Sequence, residues 1–352
     1  MNHNKYSNFK IVGYPEKLKS FIDCEITAPI YVRLKMTNRC NQRCSWCGYA
    51  SPISDMHPTC DRGDEIPAGR VLALINEIAD MGTKAILFSG GGEPLIHPIA
   101  SKAFDLCKER GLKFALITNG QNLNSEMAQH LVSASWVRLS VDYWDGESIA
   151  SSRGVSPKMF GVIMDNWQNF IEVKDPACDA EINFITTKEN YKHIEEACAM
   201  VKAIGSENIR FCPMYNNDFI NYHIPIKDEV NRRLANARKL YEDDSFHVYS
   251  SYDSIDDVPL HRPYNKCYFC QINPVIGADL QVYACHDRAY DYKGIVGSLK
   301  DKTFKELWFS EEAKKFFNEF DAQRLCDGDQ CSSEKRNLNI YKLLESYGDP
   351  YI

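Results

Sequence analysis

The stretch Thr37-Asn-Arg-Cys40-Asn-Gln-Arg-Cys44-Ser-Trp46-Cys47 places three cysteines within eight residues, in the spacing C-x3-C-x2-C, directly after a strand-like apolar run. Iron–sulfur clusters are normally held by four cysteines, so a loop that supplies three leaves one iron open to an external ligand. Zinc, with His57 or Cys60 as a fourth ligand, is the alternative, but zinc ligands usually form two separated pairs. The spacing therefore favours a cubane cluster with one open iron.

The composition of the 352-residue chain is that of an ordinary globular protein, with 44% hydrophobic and 25% charged residues. The formal charge is −7 and no Lys/Arg-rich block is present, so we expect no nucleic-acid partner. No run approaches the ~18 apolar residues of a membrane span, and the N-terminal residues lack the apolar core of a secretory signal. The sequence therefore predicts a cytoplasmic protein that acts without a membrane.

Apolar, β-branched runs alternate with segments of helical period along the first part of the chain. Six runs predict strands: Ile30–Met36, Ala85–Phe88, Lys113–Ile117, Trp136–Val141, Ala180–Thr186 and Asn208–Cys212. The segments between them predict helices: Pro67–Asp80, Pro98–Arg110, Ser125–Ser133, Pro157–Val173 and Asn190–Ile204. This alternation indicates an α/β fold with a parallel sheet, whose ligands gather at the carboxyl ends of the strands. Periodicity alone leaves open whether the sheet is doubly wound or a curved partial barrel.

The sequence predicts four parts of the chain. Residues 1–29 form an N-terminal extension, residues 30–215 the strand-and-helix core, residues 216–262 a polar bridging segment with a helix around Lys227–Tyr241, and residues 263–352 a cysteine-rich module. Amphipathic helices are predicted in that module near Thr303–Phe320 and Ser332–Tyr347.

Fourteen cysteines are unusual in a cytoplasmic chain, where thiols stay reduced and disulfides are rare. Six stand alone and are predicted to be buried hydrophobes: Cys24, Cys60, Cys107, Cys178, Cys198 and Cys212. Besides the first loop, a second group lies towards the C-terminus: Cys267, Cys270, Cys285, Cys326 and Cys331. Two separated groups indicate two metal sites, with zinc as the alternative to an iron–sulfur cluster at the second.

The first loop, with Trp46 just before its last cysteine, resembles the defining loop of the radical S-adenosylmethionine (SAM) superfamily. The resemblance implies a partial (β/α)6 TIM-like barrel over residues 30–215 and a [4Fe–4S] cluster on Cys40, Cys44 and Cys47. It also implies that the amino and carboxylate groups of SAM chelate the open iron. An external one-electron donor such as flavodoxin or ferredoxin would then drive cleavage of SAM to methionine and a 5′-deoxyadenosyl radical, which takes hydrogen from a substrate.

Further residues resemble the SAM-binding positions of this superfamily. Ser89-Gly-Gly-Gly-Glu-Pro94 matches its GGE motif and lacks the Gly-Lys-Ser/Thr ending of a phosphate loop, so the resemblance implies contact with the methionine amino group. Asn119 follows the third strand, and Ser140 and Asp142 resemble ribose and carboxylate contacts, although a helix cap is the alternative for Asp142. The cofactor-binding residues implied in this way are Trp46, Gly91, Gly92, Glu93, Asn119, Ser140, Asp142 and Arg153.

The second cysteine group resembles SPASM and Twitch auxiliary-cluster domains, as do residues 276–286 and 299–308. SPASM domains carry two extra clusters on seven or more cysteines, so five cysteines imply one auxiliary [4Fe–4S] cluster. Its expected ligands are Cys285, Cys326 and Cys331 with Cys267 or Cys270. The spacing is also close to that of the GTP cyclases of molybdopterin synthesis, but their glycine–arginine tail is missing from the C-terminal residues, so we do not expect GTP cyclisation.

The resemblance favours a two-electron oxidation of a small polar substrate, such as a sugar or aminocyclitol alcohol, with the auxiliary cluster accepting the second electron. One alternative is modification of a ribosomally made peptide, which is disfavoured because only a short stretch precedes the first strand. Another is epimerisation, in which Cys212 would return hydrogen. A non-catalytic metal-binding module would need no GGE motif. The sequence identifies no general base; the candidates near the motifs are Tyr49, His57, His97, Asp287 and Arg288.

Overall fold

The computed structural model describes residues 7–51, 56–252 and 261–348. The helices of these residues are α1 Pro15–Ile22, α2 Ala68–Asp80, α3 Ala100–Glu109, α4 Ser125–Leu131, α5 Gly146–Arg153, α6 Met159–Val173, α7 Ile194–Ala203, α8 Phe219–Tyr241, α9 Phe304–Trp308, α10 Glu311–Glu319, α11 Ala322–Cys326 and α12 Glu334–Glu345. The strands are β1 Tyr31–Leu34, β2 Ala85–Phe88, β3 Lys113–Thr118, β4 Trp136–Val141, β5 Asp179–Thr186, β6 Asn208–Pro213, β7 His247–Ser250, β8 Val275–Ile276, β9 Gln281–Tyr283 and β10 Ile295–Ser298. None of these helices is both long and apolar enough to cross a membrane.

The ten strands form one sheet in the order β10-β9-β8-β1-β2-β3-β4-β5-β6-β7. Neighbouring strands from β1 to β7 are parallel, and β8 is parallel to β1, whereas β9 pairs antiparallel with β8 and β10. Strands β7 and β10 lie at the two edges, so the sheet stays open. This α/β arrangement confirms the predicted partial barrel, to which the C-terminal module adds three strands beside β1.

The strands alternate between two faces because successive side chains of a strand point to opposite sides. In β4, Val137 and Leu139 are fully buried in the main core together with Trp167 of α6. Arg138 and Ser140 lie on the other face and are only half-buried. We call that second face the lumen; it carries Arg33, Lys35, Arg138, Ser140, Glu181, Asn183, Arg210 and Cys212.

The helices that cover the sheet are amphipathic. In α2, Val71, Leu74, Ile75 and Ile78 are all fully buried, and this spacing places them on one side of a 3.6-residue helix. Of the isolated cysteines, Cys107, Cys178 and Cys198 are buried as predicted. Cys24 is exposed, and Cys60 and Cys212 are half-buried, so the prediction of buried hydrophobes is wrong for these three.

The predicted bridging segment contains more structure than the sequence indicated. Helix α8 begins at Phe219 instead of near Lys227 and continues through Pro225. Strand β7 then pairs in parallel with β6, so seven strands rather than six form the parallel series from β1. Only Val248 of this His-Val-Tyr-Ser strand is buried, so the sequence lacks the apolar run by which the equally short β2 was predicted.

Helix α5 was also missed, because Gly-Glu-Ser-Ile-Ala-Ser-Ser-Arg has no apolar period. Its ends are instead fixed by capping. The side chain of Asp145 accepts a hydrogen bond from the Ser148 backbone N–H at 2.7 Å, and the Ser148 hydroxyl in turn binds the Asp145 backbone N–H. Gly154 ends the helix with its backbone in the left-handed conformation at φ +63°, which residues other than glycine rarely adopt. This local chemistry places Arg153 at the last position of the helix.

Several of the residues before β1 pack against the C-terminal module. Ile11 and Phe21 share a small hydrophobic cluster with Phe269, Ile272 and Ile340. The indole N–H of Trp308 also donates to the Thr27 carbonyl at 3.0 Å, which anchors the N-terminal segment to α9.

Replacing Phe104 of α3 by alanine should lower the free energy of unfolding by about 3–5 kcal/mol, because the ring is fully buried and its removal leaves a cavity. The ring lies 5.0 Å from that of Phe88 and 5.8 Å from that of Phe114. Val162→Ala, at a position 44% exposed, is the control and should change stability by less than about 0.5 kcal/mol. Urea unfolding measures both variants, and equal losses would contradict the packing described.

Candidate metal and cofactor site

The three cysteines of the first loop face an open cavity at the carboxyl ends of β1 to β4. The sequence-predicted residues that the fold brings to this cavity are Cys40, Cys44, Trp46, Cys47, Gly91, Gly92, Glu93, Asn119, Ser140 and Arg153. Asp142 lies behind this lining. Each strand ends at the same edge of the sheet, so residues far apart in sequence meet there.

Two backbone hydrogen bonds attach the cysteine loop to the end of α5. The N–H of Arg43 donates to the Arg153 carbonyl and the N–H of Ser45 to the Ser152 carbonyl, both at 2.9 Å. The last carbonyls of a helix have no partner within the helix, and the loop supplies one. Cys44 lies between these two donors, so α5 fixes its position directly.

The glycine turn after β2 holds the loop from the other side. The N–H of Gly92 donates to Thr37 O at 3.1 Å and that of Glu93 to Arg39 O at 2.9 Å. A Cβ atom added to Gly92 would lie 1.8 Å from Arg39 O, so no side chain fits there. Glycine is therefore required at this position because two backbones approach each other closely. This reason comes in addition to the contact with the SAM ligand that the sequence implied for the glycine motif.

Glu93 uses its carboxylate to tie the glycine turn to the end of β3. Its oxygens accept hydrogen bonds from the Thr118 hydroxyl at 2.7 Å, from the Asn119 N–H at 2.7 Å and from the Leu95 N–H at 3.0 Å. Burial raises the pKa of Glu93, while these three donors act in the opposite direction. The carboxylate thus has a structural task besides lining the cavity.

Asn119 continues this connection to the loop. Its amide nitrogen donates to the Asn41 side-chain oxygen at 2.7 Å and lies 3.9 Å from the sulfur of Cys40. The side-chain oxygen of Asn119 accepts the Gln121 N–H at 3.0 Å. Asn119 therefore orients the first cysteine of the loop from the end of β3.

A buried network of Trp46, Asp142 and Arg153 lies at the back of the cavity. Arg153 Nε donates to Asp142 Oδ1 at 2.6 Å and Nη1 donates to Gln42 Oε1 at 2.9 Å. The indole N–H of Trp46 donates to the other carboxylate oxygen of Asp142. Asp142 is therefore not a helix cap; it orients Arg153 and Trp46, and both of its oxygens are used.

Arg153 keeps one donor for a ligand. Its side chain is 1% exposed, and Nη2 has no hydrogen-bond partner among the residues that the structure describes. A buried N–H without a partner is costly, so this atom suits an anionic group entering the cavity. The three thiols, the glycine turn and this open donor together fit a [4Fe–4S] cluster with SAM as the external ligand.

Burial changes the acidity of the cysteines in the loop. It raises the pKa of the Cys44 thiol to about 12, and it raises that of Cys40 as well. Thiolates are the species that bind iron, so assembly of a cluster on this loop must release protons.

The five C-terminal cysteines, the expected ligands of the auxiliary cluster, lie close enough together for their thiols to interact electrostatically. They come from the turn before β8, the end of β9, α11 and the loop after it. The Cys270 thiol lowers the pKa of Cys267 by donating a hydrogen bond to it, and its own pKa is raised by the same contact. The guanidinium of Arg288 lies against Cys326 and binds Asp291 at 2.9 Å.

A contact that the sequence did not reveal joins the two cysteine sites. The Tyr49 hydroxyl lies 3.3 Å from Nδ1 of His286, the residue after Cys285. Lys35, which is fully buried, donates to the Tyr49 hydroxyl at 2.8 Å, and burial lowers the pKa of its amine. The only available signal was the presence of two basic residues, Arg33 and Lys35, in an otherwise apolar run.

Three of the candidate bases have structural tasks. His97 Nε2 donates to Ile66 O at 2.8 Å and Nδ1 accepts the Ile99 N–H at 3.3 Å. His57 stacks on Tyr49 with ring centroids 4.1 Å apart and donates to Ala289 O at 2.6 Å, and burial lowers its pKa to about 3. Arg288 is held at the second cysteine site. Tyr49 lines the cavity.

Comparison with known proteins identifies the class of this chain. Residues 34–229 match the model of the Radical SAM superfamily, and residues 267–332 match that of the iron–sulfur cluster-binding domain SPASM. The chain belongs to the radical SAM superfamily. It is a radical SAM enzyme whose cofactors are SAM, a SAM-binding [4Fe–4S] cluster and an auxiliary [4Fe–4S] cluster, as the sequence predicted.

Individual relatives differ in reaction. The chain is 24% identical over 278 residues to GTP 3′,8-cyclase of Haemophilus influenzae strain PittEE, a match that covers 72% of this chain and 77% of that protein. It is 29% identical over 186 residues to AdoMet-dependent heme synthase of Methanosarcina barkeri, covering 51% of this chain and 49% of the synthase. Streptococcus suis SuiB bound to its precursor peptide SuiA has a similar fold, with a TM-score of 0.66 and 14% identity over 92% of this chain and 76% of SuiB.

Removing one cysteine from either site should remove one cluster. We expect Cys44→Ala and Cys285→Ala each to halve the iron content, because the sites are separate, and only Cys44→Ala to abolish SAM cleavage. Cys107→Ala, which changes a buried cysteine of α3 outside both sites, is the control and should keep all of the iron. Iron analysis after anaerobic reconstitution measures this, and loss of all iron from Cys285→Ala would refute the assignment.

Asp142→Asn should weaken SAM binding without removing iron. The amide that replaces one carboxylate oxygen meets an N–H donor of Trp46 or Arg153, so the network loses a hydrogen bond and Arg153 is no longer held. We expect about a tenfold rise in the dissociation constant of SAM, measured by equilibrium dialysis. Asp105→Asn, on α3 outside the cavity, is the control. An unchanged dissociation constant would show that this network does not orient the SAM site.

Proposed function

We propose that this enzyme oxidises a small polar substrate, such as a sugar or aminocyclitol alcohol, by two electrons. When bound, SAM and its cluster supply the 5′-deoxyadenosyl radical, and the auxiliary cluster supplies an acceptor for the second electron. The substrate would lose a hydrogen atom from its carbinol carbon to the radical, a proton from its hydroxyl to a base, and one further electron to the auxiliary acceptor. An alcohol becomes a ketone in this way, and 5′-deoxyadenosine carries the hydrogen atom.

The contact between Tyr49 and His286 is the observation on which this proposal depends. Tyr49 follows Cys47 by two residues and lines the SAM cavity, whereas His286 follows Cys285 directly. Their 3.3 Å contact joins the segments that would hold the two clusters. A substrate beside this contact is within reach of both, as an oxidation with an auxiliary electron acceptor requires.

The lumen supports a polar substrate. Its wall carries Ser140 and Cys212 near the carboxyl ends of β4 and β6, and Asn183 in the middle of β5. Arg138 binds Glu181 in the same lumen at 2.6 Å. Hydroxyl, amide and charged groups of this kind suit a molecule with several hydroxyl or amino groups. The likeness to SuiB is one of fold and does not by itself support a peptide substrate.

Epimerisation is a second candidate, because Cys212 faces the lumen. Its sulfur lies 3.1 Å from Asn183 Oδ1 and 3.3 Å from Ser251 Oγ, and the residue is half-buried instead of packed in the core. In that reaction the Cys212 thiol would return a hydrogen atom to the substrate radical. The resulting sulfur radical would then need one electron and one proton from outside.

Anaerobic turnover with alcohols deuterated at the carbinol carbon distinguishes the two reactions. We expect deuterium in 5′-deoxyadenosine, an equal amount of ketone, and no dependence on Cys212, so that Cys212→Ser behaves as the unchanged enzyme. Cys285→Ala should still cleave SAM but form no ketone. Deuterium transfer without ketone would refute the oxidation, and solvent hydrogen entering recovered substrate only when Cys212 is present would establish epimerisation instead.

A further inference from the structure

We propose that Arg33 binds an anionic group of the substrate, a carboxylate or a phosphate, at the β1 side of the lumen. This inference rests on the proposed function and narrows its substrate to small polar molecules that carry such a group. The proposal depends on where Arg33 lies, on the hydrogen bonds that it does not make, and on the charges around it.

Arg33 lies in the middle of β1, where Val32 and Leu34 on either side of it are fully buried in the core. Its side chain therefore points to the opposite face, into the lumen. Arg33 also lies close enough to Tyr49 and Arg138 to interact with both electrostatically. Tyr49 lines the SAM cavity, so an anion held by Arg33 would lie beside that cavity.

The guanidinium of Arg33 has unused hydrogen-bonding capacity. Its Nε atom is buried and has no hydrogen-bond partner within residues 7–51, 56–252 and 261–348. No carboxylate of those residues lies within ion-pair distance of Arg33; Arg138 in the same lumen, by contrast, binds Glu181 at 2.6 Å and 3.0 Å. Buried donors are nearly always paired, so the unpaired Nε indicates a ligand that the protein alone does not supply.

The charged groups that act on Arg33 are the cation of Arg138 and the carboxylate of Asp287. Lys35 follows two positions later, donates to the neutral Tyr49 hydroxyl, and lies over the rings of Tyr49 and Tyr290 at 4.2 Å and 4.8 Å. Two carboxylates act electrostatically on this pair of basic residues, Asp287 on both and Asp279 on Lys35, and each accepts hydrogen bonds from other donors. Asp287 accepts the N–H and hydroxyl of Ser332, both at 2.9 Å, and Asp279 accepts the Tyr283 hydroxyl at 2.6 Å.

A carboxylate or phosphate satisfies this arrangement. The planar guanidinium presents two parallel N–H groups that match such an anion, and in a poorly solvated lumen an unpaired charge is costly. The competing explanation is that Arg33 balances the negative charge of a thiolate-ligated auxiliary cluster. The two explanations predict different effects of changing Arg33.

Anion binding to the anaerobically reconstituted enzyme with SAM tests the proposal. Inorganic phosphate and acetate serve as probes, each compared with sodium chloride at equal ionic strength, with affinity measured by calorimetry. We expect Arg33→Gln to weaken binding about tenfold or more, because a charge-assisted pair is lost. Arg33→Lys should keep part of the affinity. Arg232→Gln, at an exposed arginine of α8 paired with Glu229, is the matched control and should bind as the unchanged enzyme.

The outcomes separate this inference from the proposed function. SAM cleavage without substrate should be the same in all variants, which also shows that they fold and hold the first cluster. Equal anion affinity in Arg33→Gln and the unchanged enzyme, or no anion binding by either, would overturn the proposal. A shifted reduction potential of the auxiliary cluster in Arg33→Gln, with unchanged anion affinity, would also overturn the proposal. That result would show that Arg33 balances the negative charge of the cluster. The tighter of the two probes identifies carboxylate or phosphate as the group.

Discussion

The cysteine loop is held between two backbones, and the rest of the site depends on that constraint. On one side, Arg43 and Ser45 donate to the last carbonyls of α5. On the other, Gly92 approaches Arg39 so closely that a Cβ atom would lie 1.8 Å from its carbonyl oxygen. The backbone of the loop is thereby positioned by hydrogen bonds that do not involve a metal. The loop supplies three cysteines for a cubane cluster and leaves the fourth iron to another ligand.

The same contacts also place the groups that receive the ligand. Because α5 ends at Arg153, the hydrogen bonds that hold Cys44 also set the position of the guanidinium at the back of the cavity. Asp142 then fixes the direction of Arg153 and of Trp46 through its two oxygens. The metal site and the ligand site are thus parts of one hydrogen-bonded unit. Such preorganisation reduces the entropy that the side chains lose when the ligand binds.

Much of the site could be predicted from the sequence because its chemistry follows local spacing. The loop of Cys40, Cys44 and Cys47 is one continuous stretch of sequence, and the glycine motif is another. All six predicted strands are present within a residue or two of their expected ends. Helix α5 could not be predicted, since capping instead of apolar period defines it. The orientation of Arg33 and Lys35 was equally hidden, because the face on which a strand residue lies depends on the register of the whole sheet.

The central claim is that an iron of the first cluster, without a cysteine ligand, binds SAM directly. Electron–nuclear double resonance of the reduced enzyme, with SAM labelled isotopically at its amino nitrogen and carboxylate oxygens, tests this most directly. The account predicts strong hyperfine coupling from both labels in the unchanged enzyme. Spectra without coupling to either label, from a sample in which SAM is bound and the cluster reduced, would contradict it.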